Sequence, residues 1–113
     1  MDSRELTDRE RAVLTALLAV DFVGAAALRE QAAAVRVVDG CPCGCPTIHF
    51  AAGGGPGVIA KVNGYPRGSH SSLFLYTVVG ADDRELLGGI EWAGIDESPA
   101  EFPPPESLEL SVS

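Results

Sequence analysis

The residues richest in potential chemistry are the cysteines, and all three lie in Cys41-Pro42-Cys43-Gly44-Cys45-Pro46. Thiolates are soft metal ligands and a tetrahedral zinc site takes four donors, so His49 could complete a set with Cys41, Cys43 and Cys45. Zinc or copper is the ion that such a set would take. The spacing argues against it. Strong zinc signatures bring two separated ligand pairs, whereas these cysteines form one alternating run broken by prolines. Thiol–disulfide chemistry between neighbouring cysteines is a second reading, but no Lys or Arg adjoins them to lower a thiol pKa. The third reading is structural: cysteine packs as a small hydrophobe, Pro42 and Pro46 fix φ, and Gly44 admits conformations that other residues avoid. The residues favour this third reading, a rigid loop without a cofactor, with zinc binding as its rival.

A second group is cationic. Lys61, Arg67 and His70 fall between Asp39 and Asp82, a stretch that contains no carboxylate. They are candidate binding residues for an acidic partner, including the chain's own C-terminal part. Arg67-Gly68-Ser69-His70-Ser71-Ser72 also gathers hydroxyls around a histidine, but Gly-x-Ser-x-Gly is absent and no acid is placed to orient the ring. Gly53-Gly54-Gly55-Pro56-Gly57 followed by Lys61 lacks the Gly-Lys-Ser/Thr ending of a phosphate loop and reads as a flexible hairpin connection. Glu91 has no partner carboxylate at readable spacing, so a paired acid/base mechanism finds no support. The chain therefore leans away from an enzyme.

The elements that would position these groups follow from periodicity. Thr7-Asp8-Arg9-Glu10 fits a capping box, and Val13, Leu14, Leu17 and Leu18 repeat at helical spacing, which predicts a helix from about Thr7 to Val20. Ala25 to Ala34, anchored by Leu28, reads as a second helix. Val35–Val38 is β-branched and reads as a strand, with Asp39-Gly40 as the turn after it. Further strands are expected over Thr47–Ala52, Val58–Val62, Leu73–Val79 and Glu85–Ala93. Asn63-Gly64 is the preferred pair for a two-residue hairpin turn. In the last strand Ile90 and Trp92 share a face opposite Glu91, and Gly88-Gly89 suggests a bulge or a close backbone approach. The fold class is α+β: two N-terminal helices packed on an antiparallel sheet of four or five strands. One domain of residues 1–113 is expected, with helices over about 7–34, a sheet over about 35–95 and an acidic, proline-rich arm over about 96–113. Phe102 favours an arm docked on the domain, since an aromatic side chain would otherwise be exposed, and Pro103-Pro104-Pro105 should be extended.

Composition narrows the classes. The chain has 113 residues, 46% of them hydrophobic, and a net charge of −8, too apolar for a disordered chain and too acidic for an obvious nucleic-acid binder. The charge is uneven. Residues 1–81 carry seven acids and seven bases, while from Asp82 onward nine acids face Arg84 alone, and 1 − 9 = −8. No apolar run is long enough for a membrane helix, and Met1 to Arg11 is too charged for a signal peptide, which points to the cytoplasm.

The two-helix opening, the cysteine loop running into Thr47-Ile48, and Glu101-Phe102-Pro103-Pro104-Pro105 resemble a group of small uncharacterised bacterial proteins, a domain of unknown function with a Cys-x-Cys-Gly-Cys-Pro loop. Pro42 stands where that pattern has glycine, and His49 is not part of it. The resemblance implies no activity, cofactor or functional residue. The sequence as a whole points to a small cytoplasmic domain that binds another protein, in a regulatory or immunity-like role, and to neither nucleic acid nor a membrane as partner.

Overall fold

The computed structural model describes residues 3–40, 44–50, 59–80, 83–94 and 99–112. Two helices, α1 (Asp8–Leu18) and α2 (Ala25–Ala32), precede six strands: β1 (Asp39–Gly40), β2 (Ile48–His49), β3 (Ile59–Pro66), β4 (Ser72–Val79), β5 (Glu85–Ala93) and β6 (Leu108–Val112). Helical structure is not confined to the N-terminus, because a 3-10 turn over Pro105–Ser107 introduces β6. All strand pairs are antiparallel, in the spatial order β1-β2-β5-β4-β3-β6. The class is α+β, with six strands rather than four or five.

Helix α1 begins where its chemistry says it should. Thr7 accepts from the Glu10 amide (3.1 Å), and Glu10 accepts from the Thr7 amide (2.9 Å), which satisfies two donors that the first turn leaves open. Arg4 then grips both Glu10 carboxylate oxygens at 2.8 and 2.9 Å. The apolar face, Val13, Leu14, Leu17 and Leu18, is buried. The two helices close each other's C-terminal ends: Arg11 donates to the Ala32 carbonyl (2.6 Å), and Arg29 donates to the Leu18 carbonyl. Each cation thus meets the negative end of the other helix's dipole.

Beneath the helices, Val62, Leu73, Leu75, Ile90, Trp92 and Ile48 form one core with Val13, Leu14, Leu17 and Leu28. Strand β5 matches its expected range, and its alternation holds: Ile90 and Trp92 are buried while Glu91 is exposed. Gly88-Gly89 does create both a bulge and a close approach. The β4–β5 register shifts between Tyr76 and Thr77, and a Cβ on Gly88 would lie 2.5 Å from the Tyr76 ring. The two glycines let that ring lie against the β5 backbone.

Four local expectations are corrected. Asn63-Gly64 is not a turn: β3 runs through it to Pro66, because Gly64 faces the core and a Cβ there would sit 3.0 Å from Leu73. The turn comes later, where Gly68 takes φ 79°. The expected strand Val35–Val38 reduces to an isolated Arg4–Val37 bridge, and Asp39-Gly40, expected as a turn, is strand β1. The acidic arm is not merely an arm. Phe102 is buried with 1% exposure, its carbonyl accepts from Arg9 (2.8 Å), and Leu108–Val112 adds a full strand beside β3. Pro66 fits mid-sheet because Arg67 N–H bonds the Ser107 carbonyl (3.0 Å), so the adjacent pair, Pro66 and Leu108, is one that exchanges no ladder bonds. The glycine-rich stretch Gly53–Gly57 lies outside the described residues, as do Ala51 and Ala52 at the end of the expected second strand.

Candidate functional site

The cationic residues meet the chain's own acids. Lys61 occupies the bulge of β3, where the register shifts between Ala60 and Val62, and its Nζ lies 2.8 Å from Glu85 on β5. Thr77 of the intervening strand donates to the same carboxylate oxygen (2.6 Å). Burial pushes the Glu85 carboxyl up, but the Lys61 and Thr77 hydrogen bonds outweigh it and hold the group below its ordinary value. Arg67, just past the other end of β3, donates to the Glu106 carbonyl (3.2 Å) and lies 4.0 Å from Glu109. His70 is exposed in the β3–β4 connection. Strand β3 therefore holds Lys61 about 20 Å from the turn that carries Arg67 and His70.

Of the expected metal set, Cys41 and Cys43 lie outside the described residues. Cys45 is a free, half-buried thiol that donates to Thr47 Oγ1 (3.4 Å). The same hydroxyl oxygen accepts from the Trp92 amide (2.9 Å). His49 turns Nδ1 toward the Tyr76 hydroxyl. Cys45 and His49 are thus committed to different partners, and among the described residues no group of three or more His, Cys, Asp or Glu is arranged to hold an ion. Cys45 also lines a cavity of about 470 Å³ with Arg4, Glu10, Asp39, Thr47 and Glu101. Both Glu10 oxygens there are engaged, by Arg4 and by the Thr7 amide. Burial pushes this carboxyl up, and the Arg4 and Thr7 hydrogen bonds more than reverse that.

A different constellation stands on the face of the sheet turned away from the helices. Directly opposed residues share a face, so the pairs Phe74–Asn63, Phe74–Glu91, Tyr76–Gly89, Gly89–His49 and Tyr65–Glu109 put all of these on one side. The His49 and Tyr76 ring centres are 6.1 Å apart, and those of Phe74 and Tyr76 are 6.3 Å apart. Burial, and then the nearby Glu91 charge, raise the Tyr76 pKa. The phenol therefore keeps its proton, and its hydroxyl shares a hydrogen bond with Nδ1 of His49. Glu91 is exposed, and among the described residues it forms no ion pair. Tyr65 is 46% exposed on the same face. The arrangement offers aromatic surface beside a carboxylate that no described residue pairs, the chemistry that receives a cationic side chain. Alternation in the sequence sets Glu91 on the face opposite Ile90 and Trp92, but its neighbours Phe74, Tyr76 and His49 come together only through strand pairing.

No family model matches this chain, and no curated protein or solved structure matches it either. Among the described residues no helix is long and apolar enough to cross a membrane.

Proposed function

We propose that this chain is a non-enzymatic binding module, regulatory or immunity-like in role, that receives a basic segment of another protein on the outer face of its sheet. The carrying observation is Glu91, exposed and without an ion-pair partner among the described residues, directly opposite Phe74. The charge map supports this reading. Lys61 and Arg67 are met by Glu85 and Glu109 of the chain's own last third, so the excess of acid remains for a cationic partner. Arginine or lysine side chains would stack on Phe74 and Tyr65 while their charge meets Glu91.

Titration of the labelled chain with a short oligo-arginine peptide, followed by NMR, tests the reading. Shifts concentrated at Phe74, Glu91 and Tyr65 are expected, with Glu91→Lys weakening binding by about fivefold to tenfold. Equal binding of an oligo-glutamate peptide, or shifts confined to Arg67 and His70, would overturn it.

A further inference from the structure

The strongest unassigned feature is the outer edge of β6. An antiparallel ladder alternates residues whose backbone groups bond the neighbour with residues whose groups point away. The Arg67 N–H to Ser107 carbonyl bond (3.0 Å) sets the phase, and the register pairs Tyr65 with Glu109 and Asn63 with Ser111. Glu109 and Ser111 therefore spend their backbone groups on β3. Leu108, Leu110 and Val112, opposite Pro66, Gly64 and Val62, turn theirs outward. Strand β6 is last in the sheet order, and no described residue pairs with that side.

The side chains show the same periodicity. Leu108 is buried, Leu110 is half-buried against the core, and Val112 is 50% exposed, so the apolar stripe of the core face runs out across this edge. Glu109 and Ser111 lie on the opposite face. About Leu110 the strand is self-complementary. A two-fold axis there sets Leu110 against Leu110, Leu108 against Val112 and Glu109 against Ser111. Apolar residues then meet apolar ones, no carboxylate faces another, and every residue with outward backbone groups meets one that also has them.

We propose that β6 pairs with β6 of a second copy of this chain, antiparallel and centred on Leu110, joining two sheets into one. The occupant is a second copy because the register centred on Leu110 satisfies the backbone phase, the apolar alternation and the placement of the charge together over all five residues of the strand. A strand of five residues offers about 17 Å of contact, so the dimer is weak and concentration-dependent. The pairing is independent of what the outer face binds.

Hydrogen exchange and sedimentation on the full chain decide it. On going from dilute to concentrated protein, the amides of Leu108, Leu110 and Val112 should slow by at least about tenfold, while Glu109 and Ser111 stay protected throughout. Sedimentation should show mass rising toward twice 11.7 kDa. Leu110→Pro removes an N–H that β3 does not use and should leave a folded monomer; Val112→Lys, at an exposed site, should do the same without touching the backbone. A wild-type chain that stays monomeric at high concentration overturns the proposal. So does a dimer that persists in folded Val112→Lys, or one that forms while the Leu110 amide still exchanges freely.

Discussion

The two long sides of the sheet are finished in opposite ways. On one side β5 meets only the two-residue β2, and side chains and one loop amide complete the ladder beyond it. Gln31 of α2 donates to the Glu85 carbonyl (2.9 Å) and accepts from the Leu87 amide (2.9 Å), acting as a peptide group would. The Phe50 amide donates to the Gly88 carbonyl (2.8 Å), and Thr47 Oγ1 takes the Trp92 amide. On the other side β6 runs its full length beside β3 and turns a clean row of backbone groups outward. The difference teaches that edge protection here is a matter of side-chain supply: α2 packs against β5 and can spend a glutamine on it, whereas β6 is introduced by a proline-rich turn that has none to offer.

That contrast can be broken most severely through Phe102. Its replacement by alanine should cost about 3–5 kcal/mol in urea unfolding, since a fully buried aromatic is lost. The loss should also free the β6 amides to exchange, because the segment that leads into the strand is anchored there. Gln31→Ala acts on the other edge and should cost about 1–3 kcal/mol by leaving the Leu87 amide and Glu85 carbonyl unpaired. The Leu87 amide should then exchange faster while β6 is unchanged. The smallest effect belongs to Arg4→Ala, about 1 kcal/mol, and it sharpens the comparison through pH. The Glu10 carboxyl is held below its ordinary value of 4.5, so its contribution is present above that value and is lost as pH falls through the lowered one. The loss of stability below about pH 4.5 should be shallower in Arg4→Ala than in the wild type.

Much of the fold was legible because its signals were local. The capping box at Thr7-Glu10, the spacing of Val13, Leu14, Leu17 and Leu18, and the Ile90-Glu91-Trp92 alternation each fall within one element. Asn63-Gly64 misled because its turn preference was overridden by packing: Gly64 lies on the core face, where even a Cβ would crowd Leu73. Strand β6 was hidden by its setting, since Leu108, Leu110 and Val112 alternate behind three prolines in a stretch dominated by acids. The outer-face site was illegible for a different reason. His49, Tyr76 and Glu91 are far apart in the chain and become neighbours only through pairing across β2, β5 and β4. Even Gln31, a polar residue within the helix expected over Ala25 to Ala34, acquires its role from a strand that begins at Glu85.

The contact between Arg9 and the Phe102 carbonyl has a consequence in time as well as in space. During synthesis, α1 leaves the ribosome long before its partner residue exists, and β3 must wait for Leu108–Val112 to cover one flank. Ring closure over so long a span of chain is slow relative to helix formation. From the completion of β3 until Leu108–Val112 follows it, β3 is therefore a temporary outer strand, a stage open to mispairing and to chaperones.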